Sequence, residues 1–212
     1  MAKVVPTILA TTPQEYSQML ERALSLQQHV HVDITDGRFT DNQTIGIAQI
    51  NIPEGIELDL HLMVEHPEEI IETALSLHPR LIILHAESQG DLASLLKHIR
   101  EMGVQAGVAL LPQTAVESAT ELIKQSDHVL IFTGTLGHNG GQFQINQLGK
   151  VDAIRAVKAQ VEISVDGGVS DRDAALISLK GVDVLYTGSF LQTAEDPEAA
   201  LGSINRQIGV EV

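Results

Sequence analysis

The chain has no cysteine and no tryptophan. The missing cysteines exclude disulfides, thiolate zinc sites and cysteine nucleophiles. Aromatic residues make up only 3% of the 212 residues. A core must therefore be assembled from Val, Ile, Leu and Ala, a palette that suits parallel strands buried on both faces. Basic residues are scarce as well: 13 Lys and Arg stand against 28 Asp and Glu, a formal net charge of −15. Such a surface repels a phosphate backbone, so no nucleic-acid partner is expected. No segment reaches the roughly 18 apolar residues of a membrane span. The opening MAKVVPTILATTPQ has neither a long apolar run nor a cleavage-site pattern. No membrane association is expected, and the expected compartment is the cytoplasm.

What the sequence does have is a repeat of short apolar runs alternating with amphipathic helical patterns. The strand candidates cover residues 4–10, 30–35, 57–64, 81–87, 105–111, 128–134, 162–168 and 183–190. Helical patterns separate most of them, at 13–27, 67–77, 91–102, 115–125, 147–158 and 171–180, and a last one covers 197–208. Thr12-Pro13 and Asp196-Pro197 each pair an N-cap with proline in the first turn, and Gly103 and Gly181 follow helix ends. Only the crossover from Asp36 to Glu57 lacks a clear helix. Eight strands alternating with helices predict a single (β/α)8 TIM barrel over residues 1–212, of the α/β class. An open doubly wound sheet is the alternative.

In this barrel the reactive groups belong at the C-terminal ends of the strands. Alternation along a strand puts His31 and Asp33 on one face and Val32 and Ile34 on the other. The same rule turns His61 and Met63 inward, opposite Leu60 and Leu62, and turns Asp166 inward before Gly167-Gly168. Two imidazoles and two carboxylates converge from three strands. They form a ligand set for one divalent metal ion, Zn, Fe, Mn or Co. The other reading is four satisfied polar groups filling a barrel; convergence at the strand ends favours the metal. Glycines gather in the loops after strands six, seven and eight: Gly140-Gly141, Gly167-Gly168 and Gly188-Ser189. Such loops bind phosphate through backbone N–H groups, which reconciles an anionic ligand with so few basic side chains.

The segments HVDITDGRF, DLHLMVEHP, GGQF and ISVDGGVSDRDAALISLKGVDVLYTGSF resemble ribulose-phosphate 3-epimerases, and the opening PTILA is similar to that family's PSILS start. The likeness runs in register over nearly the whole chain. It implies His31, Asp33, His61 and Asp166 as metal ligands and Asp33 and Asp166 as the acid/base pair. It further implies Gly140, Gly141, Gly167, Gly168, Gly188 and Ser189 at the phosphate, and Thr7, His61 and Met63 against the substrate. The implied reaction is metal-dependent epimerisation of a ketose phosphate, D-ribulose 5-phosphate to D-xylulose 5-phosphate, in pentose phosphate metabolism. One Asp takes a proton, the metal holds both enediolate oxygens, and the other Asp returns a proton from the opposite face. A homo-oligomer is also an expectation of the resemblance.

The chain departs from the family pattern where Thr35 and Thr133 replace methionines, where the loop after strand six reads LGHNGGQ, and where Leu111 precedes Pro112. A wetter pocket and a shifted ketose preference are the expectations. His85 and Glu87 are candidates for supporting the ligands or for barrel filling, and His138 for a solvated loop. Asp36 reads as a turn residue, and His29, His66, His78 and His98 as solvated or capping groups. No Lys ends a strand, which disfavours Schiff-base chemistry. No Asp-x-Lys pair points to a decarboxylase. The alternatives are a barrel epimerase for another ketose phosphate and a non-catalytic sugar-phosphate binding protein.

Overall fold

Along the strands, residues alternate between the barrel interior and the helix layer, and both faces are buried. The computed structural model describes residues 2–210. The strands are β1 (Lys3–Ile8), β2 (His29–Thr35), β3 (Glu57–Met63), β4 (Leu81–His85), β5 (Gln105–Leu110), β6 (His128–Phe132), β7 (Glu162–Asp166) and β8 (Val184–Thr187). Each pairs in parallel with the next, and β8 pairs with β1, giving a closed eight-stranded (β/α)8 TIM barrel. The helices are α1 (Pro13–Leu26), α2 (Ile71–Ser76), α3 (Leu92–Glu101), α4 (Thr120–Gln125), α5 (Lys150–Val157), α6 (Asp171–Leu179), α7 (Ser189–Gln192) and α8 (Pro197–Ile208). None of them is long and apolar enough to cross a membrane.

The crossover between β2 and β3 holds only a single 3-10 turn at Ile47–Gln49, as the missing helical pattern predicts. The expected caps form. Thr12 accepts from the Glu15 N–H at 3.2 Å and Asp196 from the Ala199 N–H at 2.9 Å. Three expected helices begin instead as 3-10 turns, at Pro67–Glu69, Val116–Ala119 and Ile145–Gly149. None of these starts has a side-chain cap, so the first turn tightens to satisfy its own backbone. Several expected strands also overshoot. β8 stops at Thr187, and Ser189 already opens α7.

Side chains of opposite parity make two apolar layers. Val5, Leu81, Ile83, Leu130 and Val184 fill the barrel interior. Leu60 and Leu62 face the helices with Val32 and Ile34. Each is buried. Truncating one of the leucines to alanine would cost about 2–5 kcal/mol through lost transfer energy and a cavity.

The bottom of the barrel is polar, which the sequence reading did not anticipate. Asp59 is fully buried and accepts from Arg80 Nε (2.8 Å) and Nη2 (2.7 Å), from Tyr186 Oη (2.7 Å) and from His29 Nε2 (2.8 Å). His128 joins Glu162 at 2.8 Å and Ser164 Oγ at 2.6 Å. His29, read as a solvated or capping residue, is thus a buried partner of an acid. Burial alone would raise the Asp59 pKa, but the hydrogen bonds and charges of His29 and Arg80 hold it below the ordinary carboxylate range.

Candidate active site

At the opposite end of the barrel, β2, β3 and β7 bring His31, Asp33, His61 and Asp166 together. One donor atom from each lies within 4.8 Å of all the others, and all four side chains are buried. The register explains the meeting: Asp33 is paired with His61 across β2 and β3. His61 Nδ1 is 2.8 Å from Asp33 Oδ1 and 3.8 Å from Asp166 Oδ2. His31 Nε2 is 3.2 Å from Asp33 Oδ1, but out of line for N–H donation, so both ring nitrogens of His31 lack a hydrogen-bond partner.

The two carboxyls differ in character. Burial would raise the Asp33 pKa, but the close contacts of the His31 and His61 imidazoles outweigh it and hold the group low. Asp166 is pushed well up, first by burial and then by the Asp33 charge. Burial also lowers the pKa of His31, favouring the neutral imidazole. A neutral His31 with both nitrogens unpartnered, beside His61 and two buried carboxyls, belongs to the kind of donor set that one divalent cation satisfies. The cluster could therefore hold a metal ion.

Above it lies a pocket at the mouth of the barrel. Thr7, Met63, Gly140, Gly167, Gly168, Gly188 and Ser189 all line it with Asp33 and Asp166, and no Lys or Arg does. The Thr7 hydroxyl is buried without a partner. Gly141 lines an adjoining depression instead, together with Gly168, Ser189 and Arg172. Gly167 and Gly168 have a steric reason as well. A Cβ on Gly167 would lie 2.1 Å from Gly134 N, and one on Gly168 2.5 Å from Phe143 N. The loops after β6 and β7 pass too closely for side chains.

Thr35 and Thr133 do not wet this cavity. Thr35 Oγ1 accepts from the Thr44 N–H at 2.9 Å, and Thr133 Oγ1 donates to the Asp166 and Gly167 carbonyls. Both hydroxyls are used in tying loops together, which corrects the expectation of a wetter pocket. Asp36 is the turn residue expected, accepting from the backbone N–H groups of Arg38, Phe39 and Glu65.

Residues 135–141 are clasped by the loop after β2. Thr40 Oγ1 donates to the Leu136 carbonyl and Asn42 Nδ2 to that of Gly137, while His138 Nε2 meets Asp41 at 2.7 Å. His138 lines the mouth with Asn139 and Thr135. Phe132, Leu9, Thr135 and Asn139 are lining residues missed in the sequence. Inward parity on β6 would have found Phe132, which sits two residues after Leu130; the loop residues carry no such signal.

Fold and site together define a barrel of enzyme type, with paired carboxylates and a metal-capable cluster at the strand ends. The model of the ribulose-phosphate 3 epimerase family matches residues 3–192. The ribulose-phosphate 3-epimerase of Chlamydia pneumoniae is 34% identical over 84% of this chain and 81% of its own. That of Bacillus subtilis is 29% identical over 96% and 98%. In fold, the chain superposes on 3-hexulose-6-phosphate synthase from Salmonella typhimurium with a TM-score of 0.71, at 17% identity, over 97% of this chain and 98% of that one. The chain belongs to the ribulose-phosphate 3 epimerase family, and so to the isomerases that act on carbohydrates.

Proposed function

We propose that this protein interconverts D-ribulose 5-phosphate and D-xylulose 5-phosphate by inverting carbon 3, with Asp33 and Asp166 as the two proton-transfer groups. The observation that carries the reading is the pair of buried carboxyls on β2 and β7, one held low and the other pushed up. An epimerisation needs a base and an acid at once, and such a pair offers one ionised and one protonated carboxyl.

His31, Asp33, His61 and Asp166 would hold one divalent cation, of zinc, iron, manganese or cobalt, which when bound supplies positive charge where the substrate becomes anionic. In the forward direction the Asp33 carboxylate takes the C3 proton. The C–H electron pair moves into a C2–C3 double bond, and the C2 carbonyl oxygen takes the negative charge. Asp166 then gives its proton to C3 from the other face, and the carbonyl re-forms. The turnover leaves Asp33 protonated and Asp166 ionised, so the protons must redistribute before the same direction runs again. Met63 and Phe132 offer apolar walls that exclude water from the planar intermediate. The glycine-rich backbone around Gly140, Gly167, Gly168, Gly188 and Ser189 would receive the phosphate, with Gly141 contributing from the adjoining depression.

Incubation of metal-supplemented protein with D-ribulose 5-phosphate in D2O, followed by proton NMR at carbon 3, tests this. Loss of that signal together with appearance of xylulose 5-phosphate is expected. A folded, metal-loaded sample that leaves the C3 proton untouched would overturn the reading.

A further inference from the structure

The relay beginning at Glu87 lies behind His61, outside the four clustered donors. Glu87 Oε1 accepts from the Leu111 N–H at 3.0 Å and from the Thr114 hydroxyl. Its other oxygen is 3.2 Å from His85 Nδ1. His85 Nε2 is 2.9 Å from His61 Nε2. The two imidazoles stack with centroids 4.9 Å apart, and Phe39 lies against His85 at the same centroid distance. Both rings are fully buried, so water does not substitute for these contacts.

The direction of each bond follows from one end. A carboxylate only accepts, so His85 Nδ1 carries the hydrogen that points at Glu87. A neutral His85 is then bare at Nε2 and must accept. His61 therefore carries its hydrogen on Nε2 and is bare at Nδ1, the atom 2.8 Å from Asp33 Oδ1. A lone pair facing a carboxylate oxygen at that distance is repulsive unless a cation lies beside both. We infer that Glu87, through His85, is a positioning residue that fixes the His61 tautomer and so presents Nδ1 as a ready metal ligand. The inference rests on the metal site of the proposed function and adds the residues that set it up.

Substitution separates this role from packing. In Glu87→Gln the amide oxygen stays with Leu111 and Thr114, and the NH2 then faces His85 Nδ1. That reverses every bond in the relay and puts a hydrogen on His61 Nδ1, where the metal should bind. In His85→Gln the amide oxygen can accept from His61 and the NH2 can donate to Glu87, so the direction survives. His85→Leu removes it. Partners of metal-bound histidines characteristically contribute about 10–100-fold to metal affinity.

The test is titration of chelator-stripped protein with zinc alone, by calorimetry, alongside 15N–1H NMR of histidine-labelled protein to read the His61 tautomer. Expected are zinc affinities about 10–100-fold lower for Glu87→Gln and His85→Leu, near wild-type affinity for His85→Gln, and a hydrogen on His61 Nε2 in the wild type. If His85→Leu fails to fold, Glu87→Gln carries the test alone. Wild-type protein that binds zinc no more tightly than Glu87→Gln, or with the hydrogen on His61 Nδ1, would overturn the relay and leave the proposed function standing. Wild-type protein that takes up no zinc, manganese, cobalt or iron would overturn both.

Discussion

Tyr186 lies with its ring centroid 3.8 Å from that of His31, while its hydroxyl reaches the other way to Asp59 at 2.7 Å. One side chain thus joins the polar base of the barrel to the cluster at its mouth. Tyr186→Phe should keep the ring against His31 and remove only the bond to a buried carboxylate. A cost of about 1.5–3 kcal/mol is expected, because the acceptor is charged. Urea unfolding would measure it, and turnover should change less than about threefold. A large loss of turnover at unchanged stability would mean that the hydroxyl acts on the chemistry.

Acid should unfold the protein through its base. Asp59 and Glu162 have folded pKa values depressed below their unfolded ones, that of Glu162 to about 2 because its bonds and charges with His128 and Arg80 outweigh burial. A depressed carboxyl contributes stability above its unfolded pKa, near 4, and loses it as pH falls through the folded value. The decline is therefore expected from about pH 4.5 down toward 2. Arg80→Met leaves Asp59 without its two-pronged partner. It should cost about 3–5 kcal/mol and move the acid transition to higher pH. An unchanged acid midpoint in that variant would rule the pairing out as its cause.

Asp166 gives the opposite sign in metal-free protein. Its folded pKa is raised, so its contribution is favourable below the unfolded carboxyl value and lost as pH rises through the folded value. In chelator, Asp166→Asn should be more stable than the wild type at neutral and alkaline pH, with the gap closing as pH falls below the unfolded carboxyl value, about 4. Adding a divalent cation should reverse the order, because only the wild type keeps the full donor set. Melting temperatures under these conditions decide it; parallel pH profiles for the two proteins would refute the assignment.

Gly167 tolerates no side chain. Its φ is +107°, and an added Cβ would lie 2.1 Å from Gly134 N and 2.4 Å from Gly134 Cα. Both contacts are backbone and cannot swing away. Gly167→Ala is expected to cost about 3 kcal/mol or more, readable as a lower denaturation midpoint. A near-neutral result would show that the two loops part easily.

The sequence made the top of the barrel legible because its polar residues break an apolar strand at fixed parity: His31 and Asp33, His61, and Asp166 each follow helix-facing neighbours. The base obeys the same rule, with His29 two residues before His31 and Asp59 two before His61. It was missed because polar residues at strand starts look like ordinary solvated ends. Its partners Arg80 and Tyr186 lie 21 and 127 positions from Asp59, distances that only the closed barrel brings together. The clasp between Thr40, Asn42 and residues 136–137 was equally hidden, since it is made between side chains and backbone carbonyls of loops without periodicity. Thr35 and Thr133 misled for a related reason: a hydroxyl in a sequence shows neither its direction nor its acceptor.

The absence of any Lys or Arg from the mouth has a kinetic side. A dianionic sugar phosphate approaching this acidic surface meets net repulsion at long range, with Arg172 in the adjoining depression and a bound cation offering attraction only close to the site. Capture must then rest on these and on short-range backbone donors felt only after docking. Added salt, which slows encounter in enzymes that draw anions in with basic side chains, should here ease it by damping the repulsion. Such a barrel trades speed of encounter for discrimination at contact, since only a ligand whose phosphate fits among the glycine loops gains anything by arriving.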